Sequence, residues 1–297
     1  MEDKNEIIKT RKEILFLYEV IDSNPNGDPL EGNKVRIDSE TQEAIVTDVR
    51  LKRTVRDYLI SKGEKVFTRP VWENGELLEK RNILKKDFSK EKISKEEVLK
   101  YYIDLRLFGA TIAEKEARII CTGPVQFRFG RTLHPVEPQF YKGTTVFPSG
   151  EGKEQGTFTD IHKIPYGLIA FYGVVNENAA KDTKLTEEDV NLLYEGMWNG
   201  TRSLITRSKF SHNPKLLIVI DYKDQNFFIG DIDRLLSSDK QKPRRFEDVG
   251  VNFSNLLNRI GNASEKIKQI KVYISEEPTT INKNFKEELE KTIQSLK

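Results

Sequence analysis

Short apolar runs rich in β-branched and aromatic residues recur along the chain, and turn-forming residues stop each of them. The clearest runs cover residues 14–21, 167–175 and 215–222. Runs of this length that end abruptly are typical of buried strands rather than helices. Residues 125–129 alternate apolar and polar positions instead, so they predict a half-exposed strand. These four segments are the predicted strands of one sheet.

Two segments follow the helical period of about 100° per residue. The first, residues 47–59, can be capped by Thr47 or Asp48 and has an apolar stripe at Leu51, Val55, Tyr58 and Leu59. The second opens at Thr186, with Asp189 at its third position. Its apolar stripe consists of Val190, Leu193, Tyr194, Met197 and Trp198. Both helices are therefore expected to pack one face against a core.

The order strand, helix, strand, strand, helix, strand emerges when two long insertions are set aside. This order predicts an α+β fold of the ferredoxin-like βαββαβ type, which is also the frame of the RNA-recognition module. We assign the frame to residues 10–61 and 109–232.

The two insertions differ in character. Residues 62–108 are rich in Lys and Glu and include a predicted helix from Ser89 to Tyr102, with a capping-box pattern at Ser94. Residues 131–165 are dense in Gly, Pro and Thr, which predicts a hairpin arm. Residues 233–297 are expected to pack on the frame; they add a helix near 252–260, a strand at 270–274 and a helix from Asn282 to the end.

Composition narrows the function classes. The 49 basic and 47 acidic residues give a net charge of only +2, so a nucleic-acid surface would have to come from local segregation of charge. Cys121 is the single cysteine, which excludes an intrachain disulfide and a multi-cysteine zinc site, and we expect it to be a buried small apolar residue. No apolar run is long enough to span a bilayer, so we expect a cytoplasmic protein without membrane contact.

Charge is segregated most strongly beside an Asn-rich turn. The turn Asn24-Pro25-Asn26-Gly27 follows the first strand, and four basic residues lie within seven positions of the first helix. Backbone and amide N–H groups next to basic side chains suit a phosphate backbone. Further bases and aromatics in and around 131–165 supply the cations and stacking groups that RNA binding needs.

Catalytic chemistry has weak support. Asp22, Asp28, Asp38 and Asp48 are the only carboxylate cluster that could hold Mg²⁺ for phosphodiester cleavage. Turn geometry accounts for Asp28 and a helix start for Asp48, so we interpret all four as structural. The three histidines lack metal-site spacing, and no nucleotide-loop or hydrolase motif occurs. We expect no cofactor, no metal and no catalytic residue.

Several blocks together resemble a known family. Residues 22–29, 32–38 and 47–57, followed by 129–135, 170–180 and 198–202, closely resemble the backbone subunit of CRISPR Cascade complexes, a CRISPR-RNA-binding RAMP family. The similarity covers nearly residues 10–225; it is strongest to the subtype I-B (Csh) branch and extends to the I-C (Csd) branch.

The resemblance implies an RRM-like palm with a helical finger at 62–108 and a β-hairpin thumb at 131–165. Copies would pack head to tail along the spacer of one CRISPR RNA and present it to target DNA. Implied partners are the guide RNA, other copies, the small capping subunit, the large subunit, the RNA-processing endonuclease and target DNA.

The expected RNA-binding residues fall into two sets. The first, around the turn and the basic helix, comprises Asn24, Asn26, Lys34, Arg36, Arg50, Lys52, Arg53 and Arg56. The second comprises Arg131, His134, Arg202, Arg207 and Lys209. Two rival hypotheses remain: a metal-dependent ribonuclease of a type III-like effector that uses Asp22 and Asp28, and a scaffold protein that binds no nucleic acid.

Overall fold

A computed structural model describes residues 6–148, 156–275 and 287 of the chain. It has a mixed α+β fold built on a mainly antiparallel sheet, which confirms the α+β class of the prediction. Apart from residue 287, the predicted helix from Asn282 to the end lies outside the described residues.

Between residues 6 and 122, all of them described, the chain contains eight strands and four helices, and the first of these strands is the longest. These are β1 Lys12–Ser23, β2 Gly27–Asp28, β3 Lys34–Val35, β4 Ile45–Val46, α1 Asp48–Ser61, β5 Trp72–Glu73, β6 Glu76–Leu77, α2 Lys80–Phe88, α3 Lys95–Tyr101, α4 Ile103–Phe108, β7 Gly109–Ala113 and β8 Arg118–Thr122. A 3₁₀ turn covers Pro29–Glu31.

The described residues after 122 supply most of the other long strands. Its elements are β9 Val125–Phe127, β10 Gly130–Thr132, β11 Gln139–Pro148, β12 Gly156–Val175, α5 Glu177–Thr183, α6 Glu187–Arg202, β13 His212–Tyr222, α7 Phe246–Val249, α8 Ser254–Asn262 and β14 Ile267–Ile274. Two more 3₁₀ turns cover Ile232–Leu235 and Ser264–Lys266.

The strand β1 lies in the middle of the main sheet. The sheet has the order β14-β13-β1-β12-β10-β4, with β9 also pairing with β12, and β1 is antiparallel to both of its neighbours. Alternate residues of β1 face two separate cores: Phe16 and Tyr18 point to one, Leu15 and Leu17 to the other. Burial on both faces explains why this strand is a nearly continuous apolar run.

Different layers cover the two faces of the sheet. On one face, α1 and α6 pack through buried residues such as Leu51, Val55 and Met197. On the other, the segment after β13 packs through Phe246, Leu256 and its neighbours. The predicted stripes are confirmed, except that Thr54 is buried in α1 while Tyr58 is only partly buried and donates to Glu195 at 3.1 Å. Trp198 is likewise partly buried against the core.

The strand β12 is longer than the sequence predicted, because it begins at Gly156 rather than at residue 167. Its first part pairs with β11 up to Lys163, and its second part pairs with β1 from Ile164 onward. Pro165 lies at this junction. Proline has no backbone N–H to donate, and this loss disturbs the pairing least where β12 changes from one partner strand to the other. One strand therefore links a hairpin to the main sheet.

The insertion before β9 has its own small core around Leu84, Val98 and Tyr102. The predicted helix from Ser89 is wrong at its start, because Ser89 ends α2 in the left-handed conformation at φ 53°. The next helix, α3, begins after Ser94, whose predicted capping box is present. Cys121 is buried in the same core, as predicted.

A buried carboxylate ties this insertion to α1. Asp104 is fully buried; it accepts hydrogen bonds from the backbone of Phe67 at 2.7 Å and Thr68 at 3.1 Å, and it pairs with Arg56 at 3.0 Å. Asp57, by contrast, pairs with Arg53 at the surface.

Replacing Asp104 with Ala is expected to lower the free energy of unfolding by about 3–5 kcal/mol, because it leaves a buried guanidinium and two amides unpaired. The matched change Asp57→Ala should cost less than about 1 kcal/mol. Urea unfolding monitored by circular dichroism measures the free energy of unfolding of both variants. Equal losses for the two variants would contradict this assignment.

Candidate nucleic-acid interface

The turn that follows β1 is held against the segment that precedes β13. The backbone N–H of Asn24 donates to the carbonyl of Ser208 at 2.9 Å, and Ser23 Oγ donates to the same carbonyl at 2.8 Å. In return, Lys209 Nζ donates to the carbonyl of Asn24 at 3.1 Å. These bonds join two segments that lie 185 residues apart in the chain.

Asn26 connects the turn to the first helix. Its Oδ1 accepts hydrogen bonds from the backbone N–H and the hydroxyl of Thr47, both at 2.9 Å. Thr47 is the N-cap of α1, and its hydroxyl oxygen accepts from the N–H of Arg50 at 3.3 Å. The turn therefore lies at the positive end of the α1 dipole, where an anion is favoured.

A cleft of about 440 Å³ opens between this turn, the β11–β12 hairpin and residues 207–209. We call it the hairpin cleft. It is lined by Asn24, Asn26, Gly27, Pro29, Asn33, Asp160, Ile161, His162, Lys163, Arg207, Ser208 and Lys209. Arg207 reaches the hairpin, because its Nη2 lies 3.4 Å from the position that a Cβ on Gly143 would occupy.

Cations in and behind the hairpin cleft affect one another. Burial and the nearby Arg50 guanidinium lower the pKa of Lys209 to about 8. Burial, Lys209 and Arg50 lower the pKa of His212 to about 3, so this histidine is neutral at physiological pH. Within the described part of the chain, no carboxylate pairs with Lys209. An incoming anion would therefore relieve repulsion that the folded protein already contains.

The other basic residues of α1 are paired with acidic groups. Lys52 pairs with Asp48 at 2.8 Å. Arg53 and Arg56 pair with Asp57 and Asp104, as described above. Arg50 donates to Thr54 Oγ1 at 3.0 Å and is the member of the predicted set that contributes charge behind the cleft.

The remaining predicted residues lie at several places. Lys34 pairs with Glu31 at 3.4 Å on the exposed side of the turn, and Arg36 pairs with Asp28 at 2.8 Å. Arg131 lies in β10 and pairs with Asp38 at 2.7 Å. Arg202 is exposed in the last turn of α6. None of these four residues lines the hairpin cleft.

His134 is part of the sheet interior. Its Nδ1 lies 2.9 Å from the carbonyl of Pro135, and its Nε2 accepts from the N–H of Leu168 at 3.3 Å. Burial lowers its pKa. The ring stacks on Tyr166 with centroids 5.8 Å apart, so the neutral imidazole fixes the base of the hairpin against β12.

The four candidate metal-binding carboxylates are engaged locally or exposed. Asp28 accepts from the N–H of Leu30 at 3.0 Å and pairs with Arg36, while Asp38 accepts from the N–H of Glu40 and pairs with Arg131. Asp48 pairs with Lys52, and Asp22 is exposed. Across residues 6–148 and 156–275, no three His, Cys, Asp or Glu side chains are grouped so that they could hold a metal ion.

The structure thus brings Asn24, Asn26, Arg207 and Lys209 of the predicted set into one cleft. Lys163, one of the bases within residues 131–165, also lines the cleft, although it was not among the expected RNA-binding residues. Sequence reasoning missed Asn33, His162 and Ser208, because their position depends on pairing across the hairpin and on the 24–208 contact.

The fold is shared with proteins of known structure. A chain from a structure titled "CRISPR RNA-guided surveillance complex, pre-nicking" has a TM-score of 0.56 at 14% identity, covering 91% of this chain and 94% of the other. A chain from a second "CRISPR RNA-guided surveillance complex" has a TM-score of 0.55 at 16% identity, covering 92% of each. The chain therefore has the fold of subunits found in such complexes.

Sequence comparison identifies the family. Residues 10–254 match the family described as CRISPR-associated protein Cas7, and the chain belongs to that family. A CRISPR-associated protein Cas7 from Haloferax volcanii is 30% identical over 294 residues, which cover 88% of this chain and 86% of the relative. In the described part of the chain, no helix is both long and apolar enough to cross a membrane.

The Asn26 contact yields a stability test. Asn26→Ala removes the acceptor for both Thr47 donors and is expected to lower the free energy of unfolding by about 1–2 kcal/mol. Asn26→Asp keeps the acceptor, and its charge complements the helix dipole, so its stability should stay near that of the wild type. Chemical denaturation compares the two. An equally destabilised Asp variant would rule out a stabilising role for Asn26 as the acceptor of the two Thr47 hydrogen bonds.

Proposed function

We propose that this chain is the CRISPR-RNA-binding backbone subunit of an RNA-guided surveillance complex. The observation that carries the proposal is the hairpin cleft, in which Lys163, Arg207 and Lys209 converge beside the capped start of α1. Cations and N–H donors at a helix start bind phosphate regardless of sequence. Family membership supports the same conclusion.

In this proposal the cleft grips sugar and phosphate while the bases stay available for pairing. Lysine and arginine would contact successive phosphates, and guide pairing would read the target sequence. The chain itself would have no catalytic role, since the acidic side chains near the turn already serve as caps and ion-pair partners.

The finer assignments follow from the sequence resemblance. Residues 62–108 would be the finger, 131–165 the thumb and the main sheet an RRM-like palm. Copies would assemble head to tail along the guide spacer of a type I-B complex in the cytoplasm. Their partners would be the small and large subunits, the RNA-processing endonuclease and target DNA.

Arg207→Ala combined with Lys209→Ala tests the phosphate contacts. Each contact to single-stranded nucleic acid contributes about 0.7 to the slope of log affinity against log salt, so the slope should fall by about 1.4. Fluorescence anisotropy with labelled single-stranded RNA measures the slope at several salt concentrations. Lys223→Ala with Lys266→Ala, at the opposite end of β13, is the matched control and should leave the slope unchanged.

Three results would contradict the proposal. The first is an unchanged slope in the double variant of the cleft. The second is a wild-type protein that binds no RNA at low salt, as a nucleic-acid-free scaffold would. The third is cleavage of complementary RNA in Mg²⁺ at regular intervals that Asp28→Ala abolishes, which would indicate a ribonuclease.

Lys209 also predicts the pH dependence of binding. Its pKa is about 8 in the free protein, and a bound phosphate raises the pKa of an ammonium group. RNA binding should therefore take up a proton near this pH, and affinity should fall by up to about tenfold per pH unit as the pH rises above 8. Lys209→Arg stays charged and should flatten the profile between pH 7 and 9.5. A wild-type profile as flat as that of the Arg variant would exclude Lys209 from the site.

A further inference from the structure

Phe210 is an exposed aromatic residue directly after the cationic segment of the hairpin cleft. Its side chain is 61% exposed, and it follows Ser208 and Lys209, which both line the cleft. Among the described residues, no ring or cation packs against it. Single exposed apolar residues are common, so exposure alone carries no argument. A binding role for Phe210 is supported instead by its position and by the hydrogen bonds that fix its backbone.

The backbone on both sides of Phe210 is fixed. The N–H of Lys209 donates to the carbonyl of Thr206 at 3.3 Å and to its hydroxyl at 3.2 Å. The carbonyl of Ser211 accepts from the N–H of Ile21 at 3.2 Å. Ser211 also has a left-handed φ of 63°. Residues other than glycine rarely adopt this backbone conformation. Those that do are often found at ligand-binding positions.

This backbone turn interrupts the ladder between β1 and β13. The paired register ends at Val20 and His212, immediately after the left-handed residue. The imidazole of His212 turns inward, where it packs on Tyr18 with centroids 5.8 Å apart. Phe210 lies beyond the last paired residue, and its ring remains largely in solvent while its neighbours are held in place.

Phe228 offers a comparison within the same chain. It is also a largely exposed phenylalanine, at 45%, but the guanidinium of Arg11 covers its ring at 5.2 Å from the centroid. It lies near the other end of β13, since the next residue, Ile229, binds Glu13. Phe210 therefore differs from Phe228 in two respects: its ring face is uncovered, and it adjoins the cleft.

We infer that Phe210 is a stacking platform for an unpaired nucleobase of the strand whose phosphates lie on Arg207 and Lys209. This inference rests on the proposed function. Adjacent Cα atoms are about 3.8 Å apart, so the Lys209 and Phe210 side chains begin within the span of one nucleotide. Every base has a π face, so stacking adds affinity without selecting a sequence.

The full-length chain carrying Phe210→Ala, Phe210→Trp or Phe228→Ala tests the inference. Binding is measured by anisotropy with a single-stranded RNA and with a matched strand containing a run of abasic ribose-phosphate units. Phe210→Ala should weaken binding of the complete RNA by about tenfold and leave the affinity for the abasic strand unchanged. Phe210→Trp should retain or increase affinity for the complete RNA, and Phe228→Ala should match the wild type on both strands.

A second readout separates stacking from a structural role. Stacking on an aromatic ring changes the fluorescence of 2-aminopurine. The fluorescence of RNA containing this base should therefore change when the wild-type protein binds. The change should be much smaller with the Phe210→Ala variant at a saturating concentration. Equal weakening on complete and abasic strands would overturn the inference, and so would unchanged affinity accompanied by a change in oligomeric state. A wild-type protein that binds neither strand would instead refute the proposed function.

Discussion

The pairing of β1 with β12 on one side and β13 on the other is the constraint on which the rest of the structure depends. Both pairings are antiparallel, so the end of β1 meets the start of β13 and an early part of β12: Val20 faces His212, and Ser23 faces Ile164. The turn after β1, the β11–β12 hairpin and residues 207–209 are distant in sequence, and this pairing brings them to one end of the sheet. The hairpin cleft is a direct consequence of that register.

Buried ion pairs reinforce the register. Glu19 of β1 pairs with Lys215 of β13 at 3.0 Å, and Lys12 pairs with Asp221 at 2.8 Å, with all four side chains almost fully buried. A slip of β1 by one residue would turn its charged side chains to the opposite face of the sheet, into an apolar core and away from their partners on β13. Such pairs add little net stability compared with apolar residues, but they penalise the wrong alignments strongly. They therefore help to hold the loops of the cleft in register.

Local patterns were enough to predict much of the frame. The long strands, α1 and α6 follow from apolar periodicity and from caps at Thr47 and Thr186, because these signals lie within a few residues of one another. The helix start at Ser89 was predicted wrongly, since nothing nearby marks the left-handed residue that ends α2. Local reasoning also underestimated β12, whose first part is stabilised by the hairpin rather than by its own pattern.

The candidate site was harder to predict from the sequence, because contacts between distant residues determine which of its basic side chains are paired with acidic ones. Arg56 meets an aspartate 48 positions away, and Arg131 meets one 93 positions away. A run of basic residues in a sequence does not reveal which of them are paired. In the fold, much of the positive charge of α1 is paired with acidic side chains, whereas Arg207 and Lys209 project charge into the cleft.

This division explains how a nearly neutral protein could bind the RNA strand of the proposed function. With a net charge of +2, long-range attraction is weak, so binding must come from a few cations held close together. Holding a charged ammonium there has a cost: burial, together with the neighbouring Arg50, lowers the pKa of Lys209. The attraction of a phosphate in the hairpin cleft would offset that cost, whereas a nucleobase edge, with no net charge, would not. A site built in this way favours a sugar-phosphate chain of any sequence, and in the proposed function it would leave the choice of target to base pairing.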